Sequence, residues 1–296
     1  MLEKLQNLLG NTKVLVNEPM ASHTTFRIGG PADYFVLPET VEELAGILKI
    51  CKEENVPYFI LGNGSNLLVG DKGFRGVVVQ LYKNFDGMTI EGTTVTAKAG
   101  AMLVRVAKES GKAGLTGLEF ASGIPGTIGG AMVMNAGAYG GEMKDVLVKC
   151  NHINEDGTEG SFVGDEMDLS YRHSAYSSGK KVITSVEIKL NKGDKDKIAE
   201  EMRDYLGRRK DKQPLEYPSA GSVFKRPEGY FAGALIEQSG LKGKRIGGAM
   251  VSEKHAGFII NYDNATTTDV LELIDFCRET VKEKFGVTLE AEIKTV

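Results

Sequence analysis

Glycine recurs at positions 123, 126, 129, 130, 137, 140 and 141, within the stretch GIPGTIGGAMVMNAGAYGG. Glycine reaches backbone angles that other residues avoid and lets another group come close to the main chain. With few charges nearby, such a run suits a cradle whose successive N–H groups point at an anion such as a phosphate. Ile124, Ile128 and the run Ala131-Met132-Val133-Met134 show that the stretch is also packed down. The other reading is therefore a tight crossing of buried elements, with glycine needed only for closeness. A second glycine turn upstream, Gly62-Asn63-Gly64-Ser65-Asn66, moves the balance towards the cradle. It offers main-chain and side-chain donors together. The turn is not the dinucleotide fingerprint, because no third glycine falls in place, and no Gly-Lys-Ser/Thr follows to make a Walker A loop.

The chain of 296 residues has room for two or three domains at roughly 100–200 residues each. Hydrophobic residues make up 41% and charged residues 26%, close to globular values, so a packed core is expected. The formal net charge of −4 and the absence of any run of five basic residues argue against a nucleic-acid surface. Cys51, Cys150 and Cys277 are odd in number and far apart, which speaks against a disulfide framework or a zinc site. Free thiols in a reducing compartment are the simplest reading. The four histidines, His23, His152, His173 and His255, show no metal-binding spacing, so no metal is expected. The N-terminus reads as a short amphipathic helix, not a secretion signal. No apolar run approaches the ~20 residues of a membrane helix, and a cytoplasmic location is expected.

In chain order, Leu2, Leu5, Leu8 and Leu9 fall at helical spacing. Tyr34-Phe35-Val36-Leu37 reads as a strand. Thr40 to Glu43 is a capping box that opens a helix with Val41, Leu44, Ile47, Leu48 and Cys51 on one face. A short strand, Pro57 to Leu61, runs into the glycine turn, so residues 33–69 resemble a βαβ unit. Residues 77–99 alternate as strands. A helix from Ala101 to Ser110 is expected to stop at Gly111. Val146 to Ile153 and Val182 to Leu190 read as strands, Asn191 to Asp194 as a linker, and Ile198 to Leu206 as the start of a charged helix. Helices from Phe231 to Gln238 and Thr268 to Lys284, and strands at Phe258 to Asn261 and Thr288 to Ile293, complete the pattern.

Three polar residues stand in apolar or glycine-rich settings: Arg172 after Tyr171, Ser222 between Gly221 and Val223, and Glu292 on one strand face with Glu290 and Lys294. Taken singly, an ion pair, a turn hydroxyl and an exposed carboxylate explain them. A Ser-His-Asp hydrolase would need a GxSxG elbow, which the chain lacks.

Taken together, the motifs resemble the UDP-N-acetylenolpyruvoylglucosamine reductases, bacterial flavoenzymes of peptidoglycan precursor synthesis. The set comprises FRIGGPA (26–32), GNGSNLL (62–68), GIPGTIGGA (123–131), NAGAYG (135–140), YRHS (171–174), GSVFK (221–225), LIEQSGLKG (235–243), IGGAMVSEKHAGFIIN (246–261) and LEAEI (289–293). They run colinearly over nearly the whole chain. The resemblance implies an α+β architecture, an FAD-binding fold of the vanillyl-alcohol-oxidase type. Two FAD-binding subdomains (1–80 and 81–193) would be followed by a C-terminal α+β substrate-binding domain (194–296). It implies non-covalent FAD, since neither glycine loop holds a histidine, and NADPH as hydride donor. The expected small-molecule substrate is UDP-N-acetylglucosamine enolpyruvate.

By position, the resemblance assigns catalysis to Arg172, Ser222 and Glu292. It assigns FAD binding to Arg27, Gly29, Gly62, Asn63, Gly64, Ser65, Asn66, Gly123, Pro125, Gly126, Thr127, Gly129, Gly130, Asn135, Ala136 and Gly137. Tyr171, Lys225 and Arg226 would contact substrate, the two cations facing the diphosphate. Arg226 stands where the better-known form of the family has asparagine, and the segment after Tyr171-Arg172 is short. Both mark the shorter subtype, without the inserted substrate-covering loop. A flavin oxidase of the same fold and a nucleotide-binding module without chemistry are the competing readings.

Overall fold

The computed structural model describes residues 1–296, and the chain divides into two compact units. Residues 1–16, 34–63 and 76–208 form the first, and residues 17–33, 64–75 and 209–296 the second. No helix is long and apolar enough to cross a membrane. The three cysteines are free and buried.

The first unit holds helices α1 (Leu2–Leu9), α2 (Val41–Glu53), α3 (Leu103–Lys112), α4 (Ile128–Val133) and most of α5 (Lys195–Lys212). One sheet has the order Val14–Pro19, Pro31–Val36, Phe74–Gln80, Tyr58–Leu61. Tyr58–Leu61 pairs in parallel with Phe74–Gln80, which lies between the two strands that flank α2 in sequence. A second, antiparallel sheet has the order Glu159–Val163, Leu147–Ile153, Val182–Lys189, Thr94–Lys98, Met88–Glu91. One apolar core runs through both, from Leu44, Ile47 and Val77 to Val95, Ile128, Val186 and Ile188.

Local chemistry sets most of these elements. Thr40 Oγ1 accepts from the Glu43 N–H at 3.1 Å and caps α2. The Glu43 carboxylate reaches back to the Glu39 N–H (2.7 Å), one residue earlier than a capping box requires. Gly111 does not end α3. It lies inside the helix, where a Cβ would stand 3.0 Å from Ile198 and 3.2 Å from Met202 of α5, so glycine there serves close helix packing. The helix stops instead before Gly114, whose φ is +76°. Asn191–Lys192, expected as a linker, pairs antiparallel with Leu115–Thr116.

In the second unit an antiparallel sheet has the order Ser219–Ser222, Phe258–Asn261, Ala249–Val251, Arg245–Ile246. Helices α6 (Ala232–Gln238) and α7 (Thr267–Phe285) supply Leu235, Ile236, Val270, Leu273, Ile274, Cys277 and Val281 to its core. Phe26, Ile28 and Leu68 enter the same core from early in the chain. The expected strand at Thr288 to Ile293 is reduced to a single bridge, Phe224 with Ala291. The chain then pairs Lys294–Thr295 in parallel with Leu67–Leu68.

The start of α7 is capped from two directions. Thr266 Oγ1 accepts from the Asp269 N–H (3.1 Å). Asp71 accepts from the N–H groups of Thr267 (2.7 Å) and Thr268 (3.2 Å) and from the Thr268 hydroxyl (3.0 Å). Partial burial pulls the Asp71 carboxyl up, but the bonds from Thr267 and Thr268 outweigh it and hold the group below its ordinary value. Asp71→Ala strands two helix-end donors and is expected to cost about 1–2 kcal/mol at neutral pH, as cap losses do. Because the folded-state pKa is depressed, the deficit relative to the parent is full above the ordinary carboxylate range and shrinks as pH falls through the folded value. Urea denaturation of both chains at several pH values checks this.

Candidate active site

In the first unit, the strand Tyr58–Leu61 delivers Gly62 and Asn63 against the central glycine stretch. A Cβ on Gly62 would lie 2.5 Å from Thr127 Oγ1, so only glycine fits. Asn63 Nδ2 donates to the Pro125 carbonyl at 2.7 Å. The two glycine motifs singled out in the sequence are thus neighbours. Residues 126–129 are pegged to the segment before α3: Leu103 N–H to Gly126 O (3.0 Å), Ile128 N–H to Ala101 O (2.8 Å) and Gly129 N–H to Ala99 O (2.9 Å). Thr127 Oγ1 caps α4 by accepting from the Gly130 N–H at 3.3 Å.

The glycines of this stretch divide their labour. Gly129, Gly137 and Gly141 are packing positions. A Cβ would meet Ala99 Cβ at 3.0 Å, Glu142 Cβ at 2.8 Å and Phe120 Cδ1 at 2.7 Å, respectively. Around Asn63, Gly126 and Thr127 the main chain is different: these N–H groups donate to no acceptor within the chain. Gly64 and Ser65, which open the next segment of the second unit, leave theirs undonated as well. The Ser122 hydroxyl, just ahead of the stretch, is buried with no partner. Undonated main-chain N–H groups in glycine turns are the donor set a phosphate needs.

Asn135 is fully buried with φ +38°. Its amide nitrogen donates to Glu142 Oε2 (2.6 Å) and to the Ser170 carbonyl (3.1 Å), and its oxygen accepts from the Lys144 N–H (2.8 Å). Expected to line a flavin through Asn135-Ala136-Gly137, it commits its side chain to the protein. What it holds is the segment that presents Arg172. Ser170 and His173 exchange main-chain hydrogen bonds (3.2 and 3.1 Å) and close a tight loop. Arg172 sits there with φ +55°, its guanidinium 5.0 Å from the Tyr171 ring centroid. Ser174 Oγ fixes the far side of the loop to the Val133 carbonyl at 2.9 Å. Sequence reasoning missed both anchors, because neither spacing nor residue type announces them.

In the second unit, Ser222 and Glu292 stand on adjoining segments. The Glu292 N–H donates to the Val223 carbonyl (2.7 Å), the Lys225 N–H donates to the Glu290 carbonyl (2.8 Å), and Phe224 bridges Ala291. The pairing of Ser219–Ser222 with Phe258–Asn261 slips between Ser219 and Ser222. Gly221 has φ +79°, and open space surrounds its missing Cβ. Conformation and not crowding therefore demands glycine here. The irregularity leaves Ser222 exposed while Val223 and Phe224 go into the core.

Lys225 Nζ pairs with Glu290 at 2.5 Å, and the Arg226 guanidinium lies 4.1 Å from the Phe231 ring centroid. Arg27 (φ +56°) is exposed between buried Phe26 and Ile28. A Cβ on Gly29 would meet Val69 Cβ at 2.7 Å, and one on Gly64 would lie 2.2 Å from the His23 carbonyl. The second unit so collects Arg27, Gly29, Gly64, Ser65, Asn66, Ser222, Lys225, Arg226 and Glu292. The first holds Gly62, Asn63, the 123–137 residues, Tyr171 and Arg172.

A family described as an FAD binding domain matches residues 32–160, and one described as the UDP-N-acetylenolpyruvoylglucosamine reductase C-terminal domain matches residues 213–296. The UDP-N-acetylenolpyruvoylglucosamine reductase of Alkaliphilus oremlandii is 51% identical over 99% of this chain and 96% of its own length. The chain belongs to this reductase family.

The reductase of the same name from Caldanaerobacter subterraneus subsp. tengcongensis is also 51% identical, over 100% of this chain and 98% of its own. The crystal structure of UDP-N-acetylenolpyruvylglucosamine reductase from Thermus caldophilus superposes with a TM-score of 0.82. It is 37% identical and covers 96% of this chain and 98% of that one. A variant of the glucose oxidase Phl p 4 shares the fold at 13% identity, with a TM-score of 0.50 over 66% of this chain and 44% of its own. This member of the UDP-N-acetylenolpyruvoylglucosamine reductase family is therefore an FAD-containing oxidoreductase with a vanillyl-alcohol-oxidase-type FAD fold. Each unit carries undonated main-chain N–H groups of the kind a phosphate takes: Asn63, Gly126 and Thr127 in the first, Gly64 and Ser65 in the second. Arg172 lies outside both matched families, and Asn135 lies inside the FAD one.

Asn135→Asp would remove two donated bonds and bury a carboxylate against Glu142. An uncompensated buried charge costs about 3–5 kcal/mol. A fall in Tm of several degrees, with loss of the Arg172 loop's protection in hydrogen exchange, is expected.

Proposed function

We propose that the chain reduces the enolpyruvyl group of UDP-N-acetylglucosamine enolpyruvate to give UDP-N-acetylmuramate, with NADPH as hydride donor, in the cytoplasm. Two FAD-binding subdomains (1–80 and 81–193) and a substrate domain (194–296) are part of this proposal, and each range carries its own main sheet. The observation that carries the reading is Ser222, turned out of its strand by Gly221 and held beside the Glu292 segment by main-chain bonds.

FAD, when bound on the glycine turns, supplies the hydride relay between NADPH and the methylene carbon. Reduction of the double bond builds negative charge on the neighbouring carbon and into the attached carboxylate. Arg172 neutralises that charge with its planar guanidinium. Glu292, with Arg172, polarises or protonates the same carboxylate as it becomes enolate-like. Ser222 Oγ gives its proton to the carbon. A serine hydroxyl is a weak acid, so its effect depends on fixed placement and on the stabilised anion beside it. Tyr171, Lys225 and Arg226 contact the substrate, the cations at its diphosphate. Lys225 gives up Glu290 to do so, an exchange that costs little because exposed ion pairs contribute ~0–1 kcal/mol.

Ser222→Ala keeps FAD, and NADPH still bleaches the flavin bands. The colour's return on anaerobic addition of the enolpyruvyl sugar slows by ~10²–10³, the usual loss for one preorganised donor. Normal turnover by this variant would exclude Ser222 as the proton donor. Rapid recovery of the parent's colour in air, but not with the sugar, would point to an oxidase.

A further inference from the structure

We propose that Asn66, the last residue of the GNGSN turn, is a positioning residue for Glu292. Its side-chain amide sets the path of the main chain that carries the Glu292 carboxyl, and this inference rests on the catalytic reading of Glu292.

Asn66 and Glu292 are 226 residues apart in sequence, yet Asn66 Nδ2 donates to the Glu292 carbonyl at 3.2 Å. The Asn66 carbonyl accepts from the Lys294 N–H at 3.1 Å. One asparagine thus engages residues 292 and 294 as a neighbouring strand would, immediately before Leu67–Leu68 pairs with Lys294–Thr295. The side-chain amide stands in for the ladder donor that the turn's geometry denies to the main chain. On its other edge Glu292 donates its N–H to the Val223 carbonyl (2.7 Å), the residue next to Ser222. The peptide units flanking Glu292 are therefore fixed from both sides, and the direction of its side chain follows. Asparagine suits this place because its amide carries the same donor as a peptide group.

The turn that sets Asn66 is itself rigid. Gly64 has φ +62°, and its carbonyl accepts from the Thr25 N–H at 3.1 Å. Thr25 Oγ1 in turn donates to the Ser219 carbonyl at 2.7 Å, at the start of the strand that ends in Ser222. Gly64 and Ser65 keep their own N–H groups undonated for the cofactor. Cofactor turn and carboxyl-bearing segment are consequently one hydrogen-bonded construction, with Asn66 as the joint. Asn135 works the same way in the first unit, where its amide holds the Ser170 carbonyl ahead of Arg172.

The test uses the FAD-loaded full chain and two variants, Asn66→Ala and the equal-sized Asn66→Asp, which also lacks the donor when ionised. Three quantities are read: FAD affinity by fluorescence titration, the rate of flavin bleaching by NADPH, and the rate of colour return with the enolpyruvyl sugar. If Asn66 positions Glu292, FAD affinity and bleaching stay within about threefold, while colour return slows ~10–100-fold, the order expected when a catalytic group is misplaced by about an ångström. A tenfold or larger loss of FAD affinity with colour return preserved would assign Asn66 to the cofactor alone. Equal losses in both half-reactions, or none in either, would also overturn the proposal. A parent chain whose reduced flavin ignores the sugar sinks the functional reading, and this proposal falls with it. A difference confined to the variants bears on Asn66 alone.

Discussion

The joining of residues 66–70 to the segment after Glu292 underlies the second unit. Lys294 donates to Asn66, Val296 to Leu68, and Gly70 to Val296, in a short parallel ladder. Once it is made, Asp71 reaches the start of α7 and Leu68 enters the core with Phe26, Ile28, Ile259 and Leu273. Non-local contacts of this kind are entropically costly to close, so their value lies in what they bring into register afterwards. Here they set Gly64-Ser65-Asn66, Ser222 and Glu292 around one core. The donors suited to a pyrophosphate and the proposed proton donor then share one rigid support.

The first unit meets a different demand. The central glycine stretch packs against buried neighbours and keeps donors open. It does so by separating the tasks along the chain. Gly129, Gly137 and Gly141 admit Ala99, Glu142 and Phe120, which seats the stretch firmly. That seating leaves the main chain at Gly126 and Thr127 preorganised, with its N–H groups undonated. Preorganised donors lose little when they meet an anion, and this is the physical advantage of building a phosphate cradle from backbone.

What the sequence revealed follows from the range of the interactions. Thr40 capping α2 and the apolar face of α7 are local patterns, and the structure shows both. The glycine motifs carried enough composition and order to be found, and the match to the family gave the fold and the cofactor. Gly111 looked like a helix stop because its reason, the nearness of α5, lies more than eighty residues away. Asn191–Lys192 looked like a linker because its partner strand is only Leu115–Thr116. The segment from Thr288 alternated like a strand, but it is held by a few isolated bonds, its Glu292 N–H donating to Val223 and its carbonyls at 290 and 292 accepting from Lys225 and Asn66, not by a ladder. The anchoring roles of Asn66 and Asn135 were illegible for the same reason. An asparagine in a glycine turn reads as a local device, and nothing in its neighbourhood names a carbonyl far along the chain.

The way the chain is shared between its two units has a consequence for inheritance. It passes from one unit to the other after residues 16, 33, 63, 75 and 208, so no single break separates them. A gene fragment beginning at residue 209 would encode α6, α7 and their sheet without Phe26, Ile28, Leu68 or Asp71. Such a fragment lacks part of its own core and half of a helix cap. Recombination that shuffles whole domains by their ends therefore has no clean seam to use here. The second unit can be exchanged between relatives only together with the early loops threaded through it, which ties the evolution of the GNGSN turn to that of the residues proposed for catalysis.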